Sequence, residues 1–148
     1  MSLDPWYVTG LLEREGTFTY NRTGSGGKNL ILVFGVKLGP RDLAILEELK
    51  DFFAVGQIYP VRAGQNKASG YYRVSRLNDL SAVIEHFEQY PLRGAKQRSF
   101  HIWREMVSLK QDAFRRPPLE QLNELARQLS AASPRSGAEG EPSQEQES

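Results

Sequence analysis

The chain contains no cysteine. Disulfides, thiol nucleophiles and cysteine-based zinc or iron–sulfur centres are therefore excluded, while the redox compartment stays open. Histidine is nearly as scarce. His86 and His101 are the only two, too few for a multi-histidine metal site within one chain. They fall on separate predicted helices, where each reads as an ordinary surface or internally satisfied side chain. No uninterrupted apolar run approaches the ~20 residues of a membrane helix, so no membrane partner is expected. The opening residues MSLDPWYVTG carry neither a basic stretch nor an apolar one, and no secretory signal is expected. The expected location is intracellular, cytoplasmic or organellar. The sequon Asn21-Arg22-Thr23 is accordingly read as chance.

What is present suits one folded domain. The chain has 148 residues, 39% of them hydrophobic, enough for a core of ordinary size. Its net charge of +1 hides a division. Residues 131–148 hold one Arg and four Glu, which leaves residues 1–130 with 18 basic and 14 acidic side chains. Basic charge clusters further along 92–116, as Arg93, Lys96, Arg98, Arg104, Lys110, Arg115 and Arg116 against Glu105 and Asp112. Such a cluster admits a polyanionic partner. A solvated helix face is an equal reading of the charge alone.

Local signals divide the chain. Asp4 and Pro5 suit the N-cap and first position of a helix that runs through Glu15 and stops at Gly16. Thr17–Asn21 alternates with period two and reads as a strand, Gly24–Gly27 as a hairpin turn, and Asn29–Lys37 as a second strand. The turn lacks the Lys-Ser/Thr of a phosphate-binding loop. Gly39-Pro40 opens a helix carrying Leu43, Leu46, Leu49 and Phe53. Gly56–Arg62 reads as a strand that Pro60 confines to an edge or a bulge. Residues 63–69 read as a polar loop and Tyr71–Ser75 as a strand. Asn78 is expected to cap a helix that ends near Tyr90-Pro91. A helix is expected over 92–114, then Pro117-Pro118, a short helix marked by Leu119, Leu122, Leu125 and Leu129, and disorder from Ala131 on. The segments 36–49 and 74–87 form a weak internal repeat: strand end, turn, Asp-Leu pair, amphipathic helix. Each half is thus strand–strand–helix, with one sheet face buried under helices and the other open.

The two expected sheet faces differ in chemistry. Phe18, Tyr20, Leu30, Leu32, Phe34, Val36, Tyr72 and Val74 suit the helix-covered side. Thr17, Thr19, Asn21, Asn29, Tyr59, Tyr71, Arg73 and Ser75 share the other, with the apolar Ile31, Val33 and Val61. Donors and acceptors on a curved sheet can read base edges in a DNA groove. They equally suit the solvated face of a two-layer α/β domain.

The first helix is unusual. Gly10 in its interior costs about 1 kcal/mol relative to Ala, and a second backbone packed closely against it would account for that. Acids at its C-terminal end oppose the helix dipole, a conflict that a bound cation removes. Val8-Thr9-Gly10-Leu11-Leu12-Glu13-Arg14-Glu15-Gly16 resembles the nine-residue motif of the LAGLIDADG homing endonucleases: the third-position Gly, the apolar pair, acids at the sixth and eighth positions and the final Gly all match. Trp6, Thr17-Phe18, the element order over 4–90, the two-half repeat and the stretch from Pro91 to Phe100 agree with that family, so the resemblance covers residues 4 to about 115.

The resemblance implies an α+β fold of order αββαββα, with a curved antiparallel sheet as a DNA-binding saddle and extra C-terminal helices. It places the endonuclease domain at 4–130 and an acidic tail at 131–148. With one motif, the chain is expected to form a homodimer through Trp6, Thr9, Gly10 and Glu13, and to cut a long, roughly palindromic double-stranded DNA site in intron or intein homing. The resemblance makes Glu15 a catalytic metal ligand, helped by the backbone carbonyl of Arg14, with Mg²⁺ as the expected ion. Lys96 is placed near the scissile phosphate. The DNA-binding set is Thr17, Thr19, Asn21, Arg22, Lys28, Asn29, Tyr59, Arg62, Tyr71, Arg73, Ser75 and Arg98. The chain departs from the family pattern in three places. Glu15 stands at the eighth position, where Asp is usual. Arg14 separates the two acids. Leu38, beside Lys37, stands where some relatives have Gln. Two further readings stay open: a non-cleaving relative that acts as an RNA splicing cofactor or DNA-binding regulator, and a domain with no nucleic-acid role.

Overall fold

A computed structural model of the chain describes residues 3–63, 67–112 and 118–133, without the side chains of 62–63 and 67–68. Helix α1 spans Pro5–Glu15. It starts where Asp4 predicts: the Asp4 carboxylate accepts from the backbone N–H groups of Trp6 at 3.0 Å and Tyr7 at 3.1 Å. It stops at Gly16, though not through a left-handed glycine, since Gly16 is extended at φ −81°. The reason is space. A Cβ there would stand 2.9 Å from the Leu12 carbonyl oxygen and 3.4 Å from the Phe34 ring.

Strands β1 (Gly16–Thr23) and β2 (Asn29–Leu38) follow, then α2 (Leu43–Phe53), β3 (Gln57–Ala63), β4 (Lys67–Val74) and α3 (Leu80–Gln89). Helices α4 (Lys96–Asp112) and α5 (Leu119–Ala132) complete the described chain. The β1–β2 turn uses Gly24, Gly26 and Gly27 at positive φ, a conformation other residues rarely adopt. The four strands form one sheet in the order β1-β2-β4-β3. The second strand of each half is therefore central, and β3, which carries Pro60, is an edge strand as its missing N–H requires.

Four expectations need correction. Strand β4 begins at Lys67, because Ala63 pairs with Lys67 and Val61 with Ser69 in the antiparallel ladder; a composition-based loop over 63–69 hid this pairing. Asn78 does not cap α3. The chain enters that helix by a backbone turn, with Asp79 and Leu80 N–H both donating to the Arg76 carbonyl. Helix α4 starts at Lys96, four residues late, after turns at Gly94 and Ala95. Ala131 and Ala132 close α5; the remainder of the tail expected to be disordered, 134–148, lies outside the described residues, as do Arg115 and Arg116.

The chain divides into two compact units. One holds the residues through Phe18 together with Val33–Leu92, and the other holds Thr19–Leu32 with the residues from Arg93 on. In the first unit, Phe18, Phe34, Phe53 and Phe87 form an aromatic core with centroids 5.4–6.2 Å apart. Tyr72 joins it. Its phenol donates to the Val55 carbonyl at 2.6 Å, and burial, with the nearby Asp79 charge, pushes its pKa well above the usual range. Gly70 lets α2 approach the sheet: a Cβ there would meet Leu46 at 2.7 Å and Leu43 at 2.8 Å. In the second unit, Leu30, Leu32, Trp103, Met106, Leu122 and Leu129 are buried. There Trp103 Nε1 donates to the Thr19 carbonyl at 3.1 Å, and Lys110 donates to the Leu30 carbonyl.

Candidate functional site

Helix α1 has two faces. Val8, Thr9 and Leu12 are buried. Trp6 and Tyr7 are 55% and 45% exposed, the two most exposed large apolar side chains of the helix. Gly10 lies on the exposed side, and a Cβ built on it meets nothing within 4 Å. Nothing among the described residues accounts for glycine at that position. Thr9, expected at the dimer face with Trp6, Gly10 and Glu13, turns the other way. It is 4% exposed, and its hydroxyl donates to the Tyr90 carbonyl at 2.8 Å and lies 2.9 Å from His86 Nε2. Glu13 is half-buried, whereas Arg14 and Glu15 are exposed at the C-terminal end of the helix.

The open sheet face in the first unit is ordered by the ladder. Tyr71 of β4 is flanked by Tyr59 of β3 and Lys37 of β2, and Arg73 is flanked by Gln57 and Gly35. These rows put Tyr59, Tyr71 and Arg73 together as the alternation implies. Their opposite faces carry the buried Tyr72, Val74 and Val36. Lys37 and Gln57 belong to the same rows. Period two alone would have found them, since each is two residues from another member of the face. Thr17 is exposed, and Ser75 is half-buried just past the end of β4. Val33 shares this alternation yet is 1% exposed. A branched side chain on a central strand is closed in by neighbours on both sides, so Val33 offers no apolar surface to a partner. The side chain of Arg62 lies outside the described residues.

In the second unit, Thr19 and Asn21 are half-buried, and Lys28, Asn29 and Arg98 are exposed. The Asn29 amide donates to Thr23 Oγ1 at 3.2 Å. Arg22, expected among the DNA-binding residues, is exposed and lies on the other side of β1 from Thr19 and Asn21. Its guanidinium sits 5.6 Å over the ring of Tyr20, two residues back on the same side of β1, and donates to the Gly27 carbonyl at 3.4 Å. That side is the covered one, because the Tyr20 hydroxyl lies 3.3 Å from Ser130 of α5. Lys96 is half-buried as the first residue of α4. Glu15 belongs to the first unit and Lys96 to the second.

Among the described residues no group of three or more His, Cys, Asp or Glu side chains could hold an ion. Glu15 supplies an exposed carboxylate, and the Arg14 carbonyl is the adjacent oxygen. Oxygen donors with positions left for water fit Mg²⁺, so these two oxygens suit that ion as part of a larger donor set. His86 is not among the donors: it is 8% exposed, and burial lowers its pKa to about 4, so it is a satisfied internal side chain.

Comparison with known proteins adds three relatives and a family. A family model described as LAGLIDADG endonuclease matches residues 8–107. An uncharacterized 50.9 kDa protein in ND4 intron 1 of Podospora anserina is 28% identical over 114 residues, covering 73% of this chain and 24% of that protein. A probable intron-encoded endonuclease 3 of Neurospora crassa is 28% identical over 113 residues, covering 74% of this chain and 21% of that protein. This chain therefore spans about a quarter of the length of the curated relatives it matches. Among solved structures, an archaeal intron-encoded homing endonuclease complexed with DNA superposes with a TM-score of 0.75 at 27% identity, over 87% of this chain and 83% of that one.

Proposed function

The chain belongs to the LAGLIDADG endonuclease family and has its α+β fold, and from that premise we propose that it is a site-specific homing endonuclease. It acts as a homodimer on a long, roughly palindromic double-stranded DNA site and makes a double-strand break by metal-dependent phosphodiester hydrolysis. The observation that carries this reading is the outward face of α1. Gly10 is exposed with nothing within 4 Å of its Cβ position, and the Glu15 carboxylate is exposed five residues on. Packing against the same helix of a second copy uses the glycine and brings two Glu15 carboxylates toward one interface.

Phosphodiester hydrolysis needs an activated water, a stabilised pentavalent phosphate and a stabilised leaving oxygen. When bound, a divalent ion such as Mg²⁺ supplies charge stabilisation for all three. Glu15 and the Arg14 carbonyl, from each copy, would hold it. Glu15 stands here for the usual Asp, and its extra methylene sets the carboxylate further from the helix. Lys96 is proposed to place its ammonium against the scissile phosphate. Tyr59, Tyr71, Arg73, Lys37 and Gln57 present donors and aromatic edges to a major groove; Thr17, Thr19, Asn21 and Asn29 are proposed as further DNA contacts. Lys28 and Arg98 contact phosphates, and that contact makes binding fall with salt. No described helix is long and apolar enough to cross a membrane. All three relatives are named for introns, which favours a homing role inside the cell.

The test starts from DNA. Sites are selected from a random long-site library by binding to the purified protein, and the winners are incubated with Mg²⁺ or with chelator. Double-strand breaks that need the metal support the reading. Tight, salt-dependent binding without a break in either condition moves the function to a regulator or RNA splicing cofactor.

A further inference from the structure

The buried side of α1 carries one polar anchor, and its hydrogen bonds fix a protonation state. Thr9 has a single hydroxyl hydrogen, and it is on the Tyr90 carbonyl, 2.8 Å away. The contact to His86 Nε2 at 2.9 Å must then run from the ring nitrogen to the hydroxyl oxygen. His86 is therefore the Nε2–H tautomer. The Tyr90 carbonyl lies just past the end of α3, among the groups a helix C-terminus leaves without an internal partner. The His86 ring is packed against Phe52, Phe53, Phe87 and Tyr90, with centroids 4.7–5.6 Å away. Trp6, one turn before Thr9, meets the same Tyr90 edge-on at 5.0 Å. Two residues of α1 thus grip both ends of Tyr90.

Apolar packing is non-directional. The packing of Val8 and Leu12 sets the angle about the helix axis less sharply than the directional hydrogen bonds of Thr9 do. The lever matters at Glu15. A helix with side chains has a radius of about 5–6 Å, so a 20° turn sweeps the carboxylate through about 2 Å. A misplacement of about 1 Å can cost about 100-fold in rate.

We propose that His86, acting through Thr9, is a positioning residue: it fixes the rotation of α1 and with it the placement of the Glu15 carboxylate and the outward Trp6–Gly10 face. The consequence for cleavage rests on the reading of Glu15 given above. The placement of the helix does not.

Two experiments separate these. First, Thr9→Val keeps the shape and removes the hydroxyl, Thr9→Ser restores it, His86→Leu removes the ring donor, and His86→Gln keeps an N–H near the position of Nε2. Single-turnover cleavage of the selected DNA at saturating Mg²⁺ is expected to drop about 100-fold in Thr9→Val and His86→Leu, with DNA binding retained. Thr9→Ser and His86→Gln are expected to recover most of the rate. Thr9→Val that folds and cuts at the wild-type rate overturns the proposal. Second, the chain has no cysteine, so spin labels can be placed at Glu15→Cys and Glu47→Cys, with labelled chains diluted into unlabelled ones. Thr9→Val is expected to shift or broaden the 15–47 distance distribution, and Thr9→Ser to leave it as in the parent. An unchanged distribution in Thr9→Val overturns the proposal even if wild type proves unable to cut, an outcome that by itself counts only against the endonuclease reading.

Discussion

Tyr71 lies across Gly35. A Cβ at Gly35 would stand 2.5 Å from the Tyr71 hydroxyl oxygen and 2.7 Å from its Cε1. The bare strand is thus the bed on which the central aromatic residue of the open face rests. Gly35→Ala is expected to push the ring off the sheet, cost about 1–3 kcal/mol and weaken DNA binding. With Tyr71→Ala already in place, the stability cost should largely vanish. A double-mutant cycle in urea measures this coupling; strict additivity would show that the two residues do not share the space.

Gly10→Ala separates chain stability from assembly. The position is helical and exposed, with nothing within 4 Å of the new methyl. The single chain is expected to gain about 0.5–1 kcal/mol from helix propensity, measured by urea unfolding at dilutions where the chain is monomeric. Self-association, followed by sedimentation, is expected to weaken. A stabilised chain with unchanged association would remove the role given to Gly10.

Gly70→Ala is expected to destabilise by about 1–3 kcal/mol, because the methyl enters the space held by Leu46, which is fully buried, and Leu43. Gly39→Ala is the control. Nothing lies within 4 Å of its Cβ position and its φ is −76°, so its unfolding midpoint should match or slightly exceed that of the parent.

His86 gives a pH signature. Burial holds its pKa at about 4 in the fold, against 6.5 for the free side chain. Between these values the unfolded chain binds a proton that the native chain does not, so stability is flat above about pH 6.5 and falls as pH drops toward 4. The full effect is up to about 3 kcal/mol at 1.36 kcal/mol per pKa unit. His86→Gln is expected to flatten the slope in that window beyond what the carboxylates contribute. Urea unfolding at a series of pH values checks it, and equal slopes in both proteins would contradict it.

Local chemistry made much of this fold legible. Asp4-Pro5 marks the start of α1, Pro60 marks an edge strand, and the repeated Asp-Leu pairs, Asp42-Leu43 and Asp79-Leu80, stand at the starts of α2 and α3. Period-two alternation placed Tyr59, Tyr71 and Arg73 on one face. What escaped depends on distant partners. Thr9 turns inward because of His86 and Tyr90, 77 and 81 residues away. Strand β4 starts early because Ala63 offers Lys67 a ladder. No spacing along the chain records those pairings.

The role proposed for Glu15 is to hold the metal that hydrolysis requires. Its direct test is cleavage of the selected DNA by wild type and by Glu15→Gln, side by side, with Mg²⁺ and with chelator, after equal DNA binding has been established. The expected result is a metal-dependent double-strand break by wild type and none by Glu15→Gln, which keeps the size of the side chain and loses its charge. A Glu15→Gln protein that binds and cuts like wild type would contradict the account.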